Sequence, residues 1–160
     1  MLFRSGFMST RLLIWASLAG AFIPVMAILN SRLGKTLGEN FHAPVIAFMV
    51  AITLGTTFSF IATKSLPDIT QLPKANLVDY LGGFIVCFYV FSATFLAPRM
   101  GVANFIVCAV SAQIVVSVVI DNYGLLGAAI RPVSPLRIGG VALLLLGLII
   151  TQLADSKQTN

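Results

Sequence analysis

Charge is what this sequence has least of. Ten Lys and Arg and five Asp and Glu occur in 160 residues, 9% of the chain, against about 25% in an ordinary soluble domain. So few charges cannot cover a water-facing surface, and a soluble globular fold is excluded. Chemistry-bearing residues are scarce as well. The one histidine, His42, has no second histidine or cysteine near it in sequence, and reads as a residue of a membrane boundary. No HExxH, CxxC, GxSxG or phosphate-cradling glycine loop is present, so neither enzyme activity nor a cofactor or metal is expected. Cys87 and Cys108 both fall in apolar stretches, where they read as small packing residues rather than a disulfide.

What is present is hydrophobic surface: 58% of the residues, with a mean hydropathy of +1.00. The positions of the charges organise it. Uncharged gaps of 20, 24, 19, 21 and 17 residues separate Arg11 from Arg32, Glu39 from Lys64, Asp79 from Arg99, Arg99 from Asp121, and Arg137 from Asp155. A helix needs roughly 20 apolar residues to cross a hydrocarbon core about 30 Å thick. The gaps predict an all-α membrane protein, a bundle of five transmembrane helices over 12–29, 45–63, 80–97, 102–120 and 138–154. They form one domain whose first partner is membrane lipid. The formal charge of +5 reflects basic residues flanking spans, and no nucleic acid is expected to bind. The first apolar stretch runs on to Leu29, longer than the 7–15 residues of a signal-peptide core, so it reads as a retained span.

The connections differ in character. "LNSRLGKTLGENFHAP" carries Leu29, Leu33 and Leu37 on one helical face and Lys35 and Glu39 on another. The first helix is therefore expected to run past the hydrocarbon and end near Gly38-Glu39-Asn40. Gly34 and Gly38 form a GxxxG at its end. "KSLPDITQLPKANLVD", with two prolines, predicts an exposed loop. "APRMGV" predicts a tight turn that sends spans three and four back side by side. "DNYGLLGAAIRPVSPLR" is apolar for a loop and is expected in the interface, with Pro132 and Pro135 turning the chain into span five. Five spans put the chain ends on opposite sides. Six Lys and Arg lie on the N-terminal side and four on the other. That favours a cytoplasmic N-terminus by only two charges, a margin that permits insertion both ways round.

Polar side chains inside spans cost free energy unless they face a helix or a watery cavity, so they mark interfaces and pathways. At 100° per residue, Asn104, Cys108 and Ser111 form one stripe of span four. Gln113, Ser117 and Asp121 form a second on roughly the opposite side. A helix polar on both faces is enclosed by helices, or packs one face on helices and the other on a cavity. Asp121 ends the span, where a helix C-terminus disfavours negative charge, so Arg131 or Arg137 is its expected partner. Tyr89 sits near the midplane of span three and needs a partner for its hydroxyl. Pro24 in span one removes the N–H that would bond the Gly20 carbonyl. Span two has a small, hydroxylated run around Gly55, and span three opens on Gly82-Gly83. Span five reads as a plain structural or dimerisation helix.

These residues, in this order and spacing, resemble the YdcZ-like five-span family of the drug/metabolite transporter superfamily over about residues 12–152. The points of match are Asn30 closing span one, Gly55, Gly82-Gly83, Pro98 with Gly101, then Gln113, Asp121, Gly124, Arg137 and Gly139. Pro24 departs from it, standing where a polar residue is expected. The resemblance implies half of a ten-helix transporter, in the inner (plasma) membrane, pairing antiparallel as a homodimer or with an opposite-facing paralogue. It implies a small-molecule substrate, a small metabolite or organic cation moved by alternating access. Gln113, Asn104, Tyr89 and Asn30 are the candidate substrate contacts. Asp121, Pro24, Gly55, Gly82 and Gly83 are the candidate structural or gating positions. Two other functions stay open: a small dual-topology channel, since "GTTFSF" resembles a segment of small fluoride channels, and a non-transporting assembly subunit.

Overall fold

Residues 10–156 are described by a computed structural model. They form helices α1 (Thr10–Leu37), α2 (His42–Thr63), α3 (Leu81–Met100), α4 (Val102–Tyr123) and α5 (Pro135–Ser156). Among the described residues there is no strand. Each charge-free gap is a helix long and apolar enough to cross a membrane, and the fold class is that read from the sequence. The helices overrun the apolar gaps because helical hydrogen bonding does not stop where hydrocarbon does. At 28 residues, α1 is about 42 Å long, and its last turns lie beyond a core of about 30 Å. The chain divides into two compact units, Met1–Arg99 and Met100–Asn160.

In the first unit α1 packs on α2. The buried residues of α1 are Ala27, Asn30 and Gly34, a stripe spaced three and four apart, while Ala43 and Pro44 are buried at the start of α2. Small residues let helix backbones approach where lipid offers no hydrophobic drive for association. At the elbow, a Cβ on Gly34 would lie 2.7 Å from Asn40 Oδ1 and 2.8 Å from Asn40 Cα. Gly38 takes φ +77°, the left-handed helix ending that glycine adopts without strain. The GxxxG therefore shapes a turn within the chain. One expectation changes here. The helix ends at Leu37, so Lys35 and Glu39 do not share a helical face. Instead Glu39 Oε1 accepts the Phe41 N–H at 3.3 Å.

The Phe41 ring then stacks on Phe95 and Phe91 of α3, with centroids 5.4 and 6.1 Å away. The Arg99 guanidinium lies 3.4 Å from the Phe95 ring centre and donates to the Phe95 carbonyl at 2.6 Å. This aromatic and cation–π stack joins the start of α2 to the end of α3. Pro98, expected in a turn, lies inside α3. The connection from α2 to α3 is exposed, as its composition predicts, but it is folded into 3-10 turns at Ile69–Lys74 and Leu77–Tyr80. Asp68 caps the first. The Thr70 hydroxyl and N–H, with the Gln71 amide, hold its carboxyl below the usual 3.8. The Tyr80 hydroxyl donates to Leu72 O at 2.6 Å.

In the second unit α4 and α5 pack as a hairpin. Gly124 closes α4 at φ +62°, and a Cβ there would meet Ile130 Cγ1 at 2.6 Å and Ala128 O at 3.2 Å. The chain folds back so that the Arg131 N–H reaches Asp121 O at 2.8 Å and the Val133 N–H reaches Asn122 Oδ1 at 3.1 Å. Pro135 opens α5, in the first turn where its missing N–H costs nothing. Tyr123, Leu126 and Ile130 stand exposed on this connection, a composition suited to the membrane interface.

The elbow generates a prediction. Gly34→Ala is expected to destabilise the protein by about 1–3 kcal/mol, because the clash is with backbone as well as side chain. Gly20→Ala, where a Cβ meets nothing within 4 Å, is expected to be neutral or mildly stabilising. Thermal unfolding in detergent micelles measures both, and equal effects would refute the packing argument.

Candidate functional site

The two polar stripes of α4 meet different surroundings. The first faces α5: Gln152 Nε2 donates to Asn104 Oδ1 at 3.3 Å and contacts Cys108 Sγ at 3.7 Å. Asn104 also donates to Met100 O at 2.9 Å, so its carboxamide is used on both sides. Ser111, one turn on, is buried. Gln152 corrects the reading of span five as plain. It closes an apolar run and looks like a span end. Yet an antiparallel hairpin brings the last turns of α5 to the first turns of α4, and a polar residue at each of those ends is the signal that identifies the pair.

At the opposite end of the hairpin stands an ion pair. Arg137 Nη2 lies 2.7 Å from Asp121 Oδ2, with side chains 36% and 31% accessible. Between Arg131 and Arg137, the structure selects Arg137 as the side-chain partner and leaves Arg131 to bond the Asp121 carbonyl through its backbone. Asn104 and Asp121 are 17 residues apart, about 26 Å along α4. The hairpin thus carries a neutral amide clamp at one end, an ionic clamp at the other, and an apolar groove lined by residues such as Val118 and Ala142 between them.

Gln113, on the second stripe, is different. It is exposed, and its side chain makes no hydrogen bond among the described residues. It sits nine residues from Asn104, which places the two amides on opposite faces of α4. Ser117 on the same stripe is satisfied by the Ile114 carbonyl at 2.9 Å. The first polar stripe of α4 therefore packs on α5, while on the second Asp121 is held by Arg137 and Gln113 is exposed.

Asn30 and Tyr89 lie in the first unit. Asn30 is 6% accessible, and its Nδ2 is buried without a hydrogen-bond partner. Tyr89 is half-buried on α3. Helix α1 runs unbroken through Pro24. Among the described residues, a Cβ on Gly55 would meet nothing within 4 Å beyond its chain neighbours and its own helix backbone. The Thr53 and Thr57 hydroxyls beside it bond back to Met49 O and Thr53 O at 2.8 Å. The close helix contact suited to this run is therefore not made at Gly55 within the first unit. Gly82 and Gly83 line an open groove of about 420 Å³ with Phe48, Ile52 and Cys87. Among the described residues, no three His, Cys, Asp or Glu side chains gather as metal ligands would.

Compared with known protein families, residues 11–150 match the family described as "Putative inner membrane exporter, YdcZ". Neither a curated protein nor a solved structure matches the chain. A match over this much of the sequence shows the family. The chain belongs to it, and is a multi-pass inner membrane protein with five spans.

The ionic clamp is testable by a double-mutant cycle. Asp121→Asn, Arg137→Gln and the pair are expected to give a coupling of about 0.5–1 kcal/mol, the range for a pair this accessible to solvent. Chemical or thermal unfolding in micelles supplies the values. A coupling indistinguishable from zero would remove the pair's role in holding the α4–α5 hairpin.

Proposed function

We propose, on the premise that the chain belongs to this family of inner membrane exporters, that it exports a small metabolite or organic cation by alternating access. Two copies in opposite orientations, or one copy with an opposite-facing paralogue, each supply half of the pathway. The observation that carries this reading is Gln113: a carboxamide in the middle of a membrane span, exposed and without a side-chain partner among the described residues. In hydrocarbon such a group is costly, so what covers it is another polar surface: a second subunit, a watery pathway or a substrate.

Several features support the same reading. The most apolar 18-residue windows of α2 and α5 have 0% of their residues buried, so these helices have surface to spare for a partner. The thin margin of basic residues, six against four, leaves insertion in both orientations open, with the N-terminus cytoplasmic in the favoured one. In the first unit Asn30, whose buried amide nitrogen lacks an acceptor among the described residues, and Tyr89 are candidate substrate contacts; in the second Asn104 is another, and Gln113 stands where a partner subunit or substrate meets α4. The carbonyl of Gly20, deprived of its helical N–H by Pro24, is a further acceptor at mid-span. Asp121, held by Arg137, fixes the end of α4 while the glycine faces at Gly55, Gly82 and Gly83 leave room for neighbouring helices to slide.

A flux assay tests the proposal. Purified protein in liposomes is expected to give saturable movement of at least one member of a panel of small metabolites and organic cations. Gln113→Ala is expected to reduce that flux about tenfold, the equivalent of one contact worth about 1.4 kcal/mol, while the amount of inserted protein is unchanged. Flux equal to that of the parent protein would overturn the role given to Gln113. Fast, non-saturating current in place of saturable flux would overturn alternating access.

A further inference from the structure

The middle of α4 has an internal symmetry that the single chain does not use. Gln113 lies eleven residues after Val102 and ten before Tyr123, the ends of the helix, so its side chain leaves α4 at mid-depth. Three residues to either side stand Val110 and Val116, both exposed at 38% and 55%. Four residues to either side stand the small residues Ala109 and Ser117. At helical periodicity all five share the face that carries Gln113. Read outward from Gln113, the face is the same in both directions: valine at three, a small residue at four.

We infer that this face is the contact between two oppositely oriented copies of the chain, and that Gln113 pairs there with the partner's Gln113. In an antiparallel pair related by a two-fold axis in the membrane plane, a residue a given number of positions before the crossing point meets the one the same number after it. Only the residue at the crossing point meets itself. A carboxamide is suited to that place because each amide donates through Nε2 and accepts through Oε1, so two of them satisfy each other reciprocally. Ala109 then faces the partner's Ser117 and Val110 faces the partner's Val116. The small residues let the two helices approach closely enough for the amides to bond. A parallel pair would also bring the two Gln113 together, but from any depth in the helix. The mid-depth position and the mirrored flanks are what the antiparallel arrangement requires. The pair marks where the two half-pathways meet.

This inference rests on the opposite-orientation reading, and its test separates the two. In a form whose Cys87 and Cys108 are replaced by serine and which still inserts, Gln113→Cys is expected to form a disulfide-linked dimer on oxidation in native membranes. Val110→Cys and Val116→Cys, co-expressed on separately tagged chains, are expected to link to each other in preference to themselves. Gln113→Met, which keeps the length and removes the hydrogen bonds, is expected to weaken dimerisation about tenfold in a fluorescence-transfer titration, in line with two intramembrane hydrogen bonds. Self-linked Val110→Cys and Val116→Cys without the mixed product would overturn the inference by showing a parallel contact. No link at Gln113→Cys, in membranes where both orientations are found by accessibility labelling, would overturn it while leaving the opposite-orientation reading standing. Unchanged dimerisation of Gln113→Met would also overturn it.

Discussion

Everything in this structure depends on one constraint: hydrocarbon supplies no hydrogen bonds, so each polar group within a span must find a partner in protein or face a watery space. The chain meets most of that demand locally. Hydroxyls at Thr53, Thr57, Thr94 and Thr151 turn back to carbonyls three or four residues earlier. Longer polar side chains cannot reach their own helix so easily, and these define the architecture. Gln152 crosses from α5 to Asn104, and Arg137 crosses to Asp121. Those two contacts tie the ends of a hairpin whose interior has only dispersion and shape to hold it.

The same constraint makes the leftovers informative. Among the described residues of the spans, Gln113 and Asn30 carry the amides that local bonding and the hairpin do not satisfy. Gln113 is exposed, and Asn30 is closed within the packing of α1. The proposed pairing of two chains accounts for an amide left bare at mid-span in a chain that satisfies its other span amides so economically. Membership of an inner membrane exporter family agrees with that. Gly82 and Gly83 line an open groove, and at Gly55 a Cβ would meet nothing among the described residues beyond its own helix; the proposed pairing gives these small-residue surfaces a neighbour.

The five helices were legible in the sequence because charge placement alone delimits spans, and the end of α1 near Gly38-Glu39-Asn40 because the helical face of Leu29, Leu33 and Leu37 runs out there. Asp121 was legible as a helix-end acid in want of a cation, since the helix dipole disfavours it and two arginines follow closely. Gln152 was not, because its partner lies 48 residues away and nothing local distinguishes a polar span end from a polar clamp. The stack of Phe41 on Phe91 and Phe95 was equally hidden. Phenylalanine is ordinary in a span, and only the sharp elbow after Gly38 aims Phe41 at α3. Lys35 and Glu39 misled for the converse reason: correct helical spacing means little when the helix ends between the two residues. Among the candidate site residues, the sequence separated Gln113 from Asn104 by helical angle. It carried no sign that Asn104 would be closed by α5 and Gln113 left exposed.

The central claim is that one chain is half of a pathway, completed by an oppositely oriented partner. The most direct measurement places a single cysteine at Thr70, in the exposed connection between α2 and α3. It is then labelled with a membrane-impermeant thiol reagent in intact cells in which this chain alone supports export. The account predicts that about half of the copies are labelled from outside and the remainder only after permeabilisation. Export with every copy labelled from the same side would contradict it.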